Sequence, residues 1–106
     1  LAANGIIGLE TSLSVGITYL VKTGELTIEE LIAKMTCVPA EIIKIDKGTL
    51  GVGKSADIVI FNPDEEYTVD VNTFASKSKN SPYNNYKLNG VVYKTLVDGK
   101  VVYTKN

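Results

Sequence analysis

The sequence has 106 residues, of which 22% are charged and 44% hydrophobic, and its formal net charge is −1. This composition is typical of a globular chain with one small core. Scattered lysines without a basic run argue against a nucleic-acid partner, and no apolar run is long enough to predict a membrane span. Cys37 is the single cysteine, which excludes an internal disulfide, so we expect a cytoplasmic protein.

The first part of the chain predicts an amphipathic helix from Leu9 to Lys22. Its apolar residues fall at helical spacing and are expected to form one buried stripe, consisting of Leu13, Ile17, Leu20 and Val21.

Two further helices follow. Thr27 and Glu30 have the spacing of a capping box, which predicts a second helix ending near Met35. Pro39 is suited to a first helical position and predicts a third, short helix through about Ile45. The apolar side chains of the second helix that we expect to be buried are Leu31, Ile32 and Met35.

The segment Gly48–Ser55 satisfies the phosphate-loop pattern G-x-x-x-x-G-K-S/T. In a phosphate loop a helix follows this pattern, and its N-terminal amides bind the phosphates. Here the β-branched run Ala56–Phe61 follows instead, which predicts a buried strand. We therefore interpret the segment as a turn in which Gly51 and Gly53 adopt positive φ, and not as a nucleotide site.

The remainder of the chain predicts strands. Glu65–Val69 alternates between apolar and polar residues, and Val91–Val97 and Lys100–Tyr103 flank the hairpin signal Asp98-Gly99. Asp57 has no partner suited to acid catalysis and is expected to act as a hydrogen-bond acceptor at a turn or strand edge. Helices followed by strands predict an α+β fold.

Several motifs resemble one enzyme family. The stretch Ala2–Thr11 is similar to the A-P-x-G-I-x-G-L-E-T motif of dihydroorotases, and Phe74–Pro82 resembles F-x-S-K-x-x-N-S/T-P, which dihydroorotases share with allantoinases and hydantoinases. The run from Gly48 to Phe61 resembles the entry of amidohydrolase-superfamily chains into their small β domain. Val97–Tyr103 is like the terminal hairpin of the same group.

The resemblance implies that this sequence is the C-terminal portion of such an enzyme. Residues 1–47 would then be the terminal helices of a (β/α)8 metallohydrolase barrel. Residues 48–106 would be the C-terminal part of a small β-sandwich domain. The implied parent activity is the zinc-dependent, reversible hydrolysis of dihydroorotate to N-carbamoyl-aspartate in pyrimidine biosynthesis, by an enzyme that we expect to be a homo-oligomer.

The resemblance assigns one substrate contact to this chain. In the family, the loop after the last barrel strand touches the substrate through backbone atoms, and the matching positions are Asn4 and Gly5. Glycine would allow a close approach of the main chain, and amides leading into the first helix would suit an anionic ligand. The sequence departs from the family at Ala3, where proline is usual, and at Asn4, where a large apolar residue is usual.

No catalytic residue and no metal ligand is assigned to this chain, since it contains no histidine to supply imidazole ligands. The zinc is expected only in the full-length enzyme, and this chain by itself is expected to be inactive. Two alternatives remain open at this stage. The parent could be a hydantoinase or an allantoinase, or a metal-free homologue with a structural role.

Overall fold

The computed structural model describes residues 4–106. Helical segments occupy the first half of the chain and a three-stranded antiparallel sheet the second, so the α+β arrangement is confirmed. The helices are α1 (Ser12–Gly16), α2 (Ile28–Met35) and α3 (Cys37–Ile42), and the strands are β1 (Ile58–Thr68), β2 (Lys87–Val97) and β3 (Lys100–Thr104). The strand order is β1-β2-β3. Within residues 4–106, no helix has the length and apolar character needed to cross a bilayer.

The first helix is shorter and less regular than the sequence predicts. It begins at Ser12 rather than Leu9, and a π-helical turn, Ile17–Val21, continues it, with the Lys22 amide donating to the Ile17 carbonyl at 2.9 Å. The wider turn rotates the residues after Ile17 relative to an α-helix. Ile17 itself is fully buried, whereas Leu20 after it is exposed, so the predicted buried stripe is wrong at Leu20.

The second helix follows the sequence prediction closely, whereas the third begins and ends earlier than predicted, at Cys37 and Ile42. Thr27 accepts from the Glu30 amide at 3.1 Å, and the Glu30 carboxylate accepts from the Thr27 amide at 3.0 Å, which confirms the capping box. Of the side chains predicted to be buried, Leu31 is buried but Met35 is exposed. Helix α3 begins two residues before Pro39, which is tolerated because no helical hydrogen bond requires an N–H in the first turn.

The two strands predicted on either side of Asn62-Pro63 are a single strand. Between the pairs Asn62–Val91 and Glu66–Asn89, three residues of β1 face only Gly90 of β2. This bulge accommodates Pro63, which cannot donate to the ladder.

The run Ala56–Phe61 enters a strand as predicted, but the prediction that this strand is buried is wrong. Strand β1 begins at Ile58, and the side chains of Val59 and Ile60 are 48% and 50% exposed. The reason is topological: β1 is the first strand of the sheet, and among residues 4–106 it pairs only with β2.

The hairpin predicted at Asp98-Gly99 is confirmed. Both residues have positive φ, of 52° and 77°, and Val97 pairs with Lys100. The Asp57 carboxylate accepts from the Asp98 amide at 2.8 Å, so Asp57 has the structural role that we predicted for it.

The core lies between the first helical segment and β2. Hydrogen bonds dock this helical segment on the sheet: the Ser14 hydroxyl lies 2.7 Å from the Tyr67 hydroxyl of β1, and the Asn89 amide of β2 donates to the Thr18 hydroxyl at 2.8 Å. The buried apolar side chains are Ile17, Leu31, Ala40, Val69, Val71, Leu88 and Val91.

Candidate functional site

Two segments that are far apart in sequence meet at one surface of the protein. The loop from Asn4 to Glu10 contacts the irregular segment from Phe74 to Pro82. The Ile7 amide donates to the carbonyl of Asn80 at 3.0 Å, and the side-chain amide of Asn80 donates to the carbonyl of Gly5. One residue thus holds the loop backbone at two points.

Glu10 forms a second connection between the same segments. One oxygen of its carboxylate accepts from the Ala75 amide at 3.2 Å, and the other accepts from the Ser76 amide at 3.1 Å. Hydrogen bonds to an ionised acceptor are stronger than those between neutral groups. Glu10, two residues before α1, therefore ties the loop to the Phe74–Pro82 segment.

The segment that receives the loop is itself held by a lysine. The ammonium group of Lys79 donates to the carbonyls of Phe74 and Ser76, each at 2.8 Å. The Asn80 amide also donates to the hydroxyl of Ser78 at 3.3 Å. These contacts give an otherwise irregular stretch a defined conformation.

Asn4 and Gly5, the predicted substrate contacts, lie on the exposed side of this loop. A Cβ added at Gly5 would meet no atom of the described residues within 4 Å, so contacts within residues 4–106 do not require glycine there. Helix α1 begins only at Ser12, so the amides expected to suit an anionic ligand precede the helix and are not part of it. Backbone contact with a substrate stays a prediction.

The residues of this chain do not fit a zinc site. Across residues 4–106, the structure contains no group of three or more His, Cys, Asp or Glu side chains that could hold a metal ion. The sequence contains no histidine, and Cys37 is its single thiol. Ligands for a tetrahedral zinc ion would have to come from outside this chain.

No helix directly follows the phosphate-loop pattern Gly48–Ser55 in the chain. After Lys54-Ser55 the chain continues to β1, and the Lys54 ammonium forms an ion pair with Asp46. Gly53 adopts positive φ as predicted, but Gly51 does not; the other left-handed glycine of the segment is Gly48.

Asp57 stabilises the corner where this segment enters the sheet. Its carboxylate accepts from the Lys47 ammonium at 2.7 Å as well as from the Asp98 amide. The hydrogen bond from Lys47, followed by that from the Asp98 amide, lowers the pKa of Asp57, and the same contact with Asp57 raises the pKa of Lys47. These shifts indicate a structural ion pair at the surface.

An open cavity of about 480 Å3 lies between the end of α2 and one face of the sheet. Asp57 is the one titratable residue in its lining, and the Lys47 contact already engages that carboxylate. The cavity therefore offers no acid–base pair among its lining residues. These are Leu13, Ile32, Met35, Thr36, Gly48, Thr49, Leu50, Asp57, Ile58, Val59, Phe61, Val92 and Thr95.

Sequence reasoning missed the roles of Glu10 and Asn80. Both occur inside motifs that were recognised, but local pattern rules contain no information that pairs residue 10 with residue 75 or residue 5 with residue 80. The available signal was indirect: Glu10 and Asn80 each lie in a motif that resembles the same enzyme family.

Comparison with known proteins identifies the family. A profile of the Amidohydrolase family matches residues 3–102. The dihydroorotase of Acetivibrio thermocellus is 59% identical over 102 residues, and that of Clostridium acetobutylicum is 50% identical over 102 residues; each match covers 96% of this chain and 24% of the relative.

Among solved structures, the L-hydantoinase (dihydropyrimidinase) from Arthrobacter aurescens superposes with a TM-score of 0.89 at 40% identity, covering 99% of this chain and 24% of that one. The chain thus spans 24% of the length of these relatives. Because the profile match extends over nearly the whole sequence, this chain belongs to the amidohydrolase family.

Proposed function

We propose that this chain is the C-terminal portion of a dihydroorotase, which hydrolyses the cyclic amide of dihydroorotate reversibly to N-carbamoyl-aspartate. The observation that supports this best is the identity of 59% and 50% to two dihydroorotases over 96% of the chain. The L-hydantoinase is less similar in sequence, at 40% identity.

Within that enzyme, residues 1–47 would complete a (β/α)8 barrel and residues 48–106 would belong to its small β-sandwich domain. Val59 and Ile60, whose side chains point to opposite faces of β1 and are about half exposed, support this division, since further protein would be needed to cover them. We place the zinc ligands and the catalytic groups outside this chain. The full-length enzyme would be a cytoplasmic homo-oligomer.

The contribution of this chain to the site would be the backbone of Asn4 and Gly5, which would contact the substrate. Both residues are exposed, and the side of Gly5 where a Cβ would project is open, with no atom of the described residues within 4 Å. A small cyclic substrate could therefore approach the main chain at this position.

The test is an assay of the full-length protein that contains this sequence, with dihydroorotate, hydantoin and allantoin measured side by side. We expect turnover of dihydroorotate at the highest kcat/KM. Preference for hydantoin, the alternative that the L-hydantoinase superposition favours, would overturn the substrate assignment and leave the family unchanged.

A matched control is the 106-residue chain alone. It is expected to bind no stoichiometric zinc and to hydrolyse none of the three substrates, because it lacks imidazole ligands. A full-length protein that binds no metal and is inactive would instead favour the structural homologue.

A further inference from the structure

The loop that carries the proposed substrate contact is held by polar contacts rather than by apolar burial. Two of its three large apolar side chains are exposed, Ile6 at 67% and Leu9 at 95%, and Ile7 is partly buried. The backbone on either side of Ile6 is bonded to Asn80, through the Gly5 carbonyl and the Ile7 amide. The position of this backbone therefore depends on the position of Asn80.

Asn80 is connected to a rigid part of the fold through Glu10. The Glu10 carboxylate binds the amides of Ala75 and Ser76, at the opposite end of the segment that contains Asn80. The next residue, Thr11, is buried and accepts from the Val15 amide at 2.8 Å, which joins it to α1. The loop and the 74–80 segment thus form a closed ring of contacts anchored on a helix.

We propose that Glu10 and Asn80 are positioning residues that hold the backbone of Gly5–Ile7 at the place where it contacts the substrate. This inference rests on the proposed function, which assigns that contact to Asn4 and Gly5. Neither side chain needs to touch the substrate. Each acts by fixing a loop whose own side chains contribute little burial.

A positioning role predicts a specific kinetic signature. Loosening a backbone contact that the substrate makes in both the ground and transition states raises KM and leaves kcat nearly unchanged. Loss of a residue needed for the chemical step would instead lower kcat.

The experiment uses the full-length enzyme with three substitutions. Glu10→Ala removes both acceptors, Glu10→Gln retains one, and Asn80→Asp keeps the shape but cannot donate to the Gly5 carbonyl. The control is Glu25→Ala, which removes an exposed carboxylate from the loop between the π turn and α2.

We expect KM for the cyclic amide that the wild type accepts to rise about tenfold in Glu10→Ala and in Asn80→Asp, and about threefold in Glu10→Gln. The value of kcat should stay within about twofold, as a uniform-binding effect requires. The control should match the wild type in both constants. Unchanged KM in Glu10→Ala and Asn80→Asp would overturn the proposal, as would a fall in kcat alone.

Hydrogen exchange of the backbone from residue 4 to residue 9 gives a readout that is independent of activity. Exchange should be faster in Glu10→Ala and Asn80→Asp and unchanged in Glu25→Ala. If the wild type hydrolyses no cyclic amide, the proposed function fails. Hydrogen exchange would still test whether Glu10 and Asn80 hold the loop backbone in place. Equal exchange in all variants would then refute this role.

Discussion

Gly90 and Ile17 are in such close contact that a methyl group added at Gly90 would force the buried Ile17 side chain or the backbone to shift. A Cβ at Gly90 would lie 2.7 Å from the Cδ1 atom of Ile17, and Gly90 has a φ of +106°. Gly90 also faces the bulge of β1 that contains Pro63. The same residue therefore permits the bulge and lets the first helical segment approach the sheet.

Gly90→Ala is expected to destabilise the chain by about 3 kcal/mol, because both backbone strain and overpacking against fully buried Ile17 act at this position. The free energy of unfolding, measured in denaturant, tests this. Gly51→Ala is the matched control, since a Cβ there meets the Lys54 side chain at an ordinary 3.5 Å and Gly51 does not have positive φ. An equal loss of unfolding free energy in the two variants would contradict the role assigned to Gly90.

The ion pair of Asp57 with Lys47 predicts a pH dependence of stability. Folding lowers the pKa of Asp57 below its ordinary value of 3.8, through the hydrogen bond from Lys47 and that from the Asp98 amide. The contribution to stability is therefore fully present above pH 3.8 and is lost as pH falls through the lower folded-state pKa.

Asp57→Asn should be less stable than the wild type at neutral pH, and the difference should shrink towards acid pH. Unfolding in urea across this range measures it, with Glu66→Gln on the exposed face of β1 as control. A difference that is independent of pH would mean that the charge of Asp57 does not matter.

Mg-ATP is not expected to bind at Gly48–Ser55. The residues after the pattern lead into β1 instead of opening a helix, and Lys54 is paired with Asp46. Calorimetric titration of the chain checks this. Saturable binding at micromolar concentration that Lys54→Ala abolishes would contradict the prediction.

The isolated chain is expected to self-associate. The apolar side chains Val59, Ile60, Val101 and Val102 are about half exposed or more, and β1 is a sheet edge within residues 4–106. Unpaired strand edges and contiguous apolar patches favour pairing with another chain. Sedimentation of the purified chain measures the association.

Ile60→Lys should weaken this association, because a charge at an exposed edge opposes strand pairing. Glu66→Lys, at a position on the same strand that is already polar, is the control and should associate like the wild type. A compact monomer for the unsubstituted chain would contradict the expectation.

The sequence by itself determined the features that depend on a few neighbouring residues. The capping box of Thr27 and Glu30 and the turn at Asp98-Gly99 were predicted correctly because their hydrogen bonds and φ values are local. The prediction that a strand and not a helix follows Gly48–Ser55 agrees with the structure for the same reason, because it depended on the residues directly after the pattern.

Only the tertiary structure decided the features that depend on distant partners. Pro63 lies inside a strand because Gly90 of the neighbouring strand permits a bulge, and Leu20 is exposed because a π turn rotates it away from the core. Likewise, Glu10 binds amides 65 and 66 positions further along the chain. Local patterns specify dihedral angles and the periodicity of burial, whereas pairing across such separations is selected by packing of the whole chain.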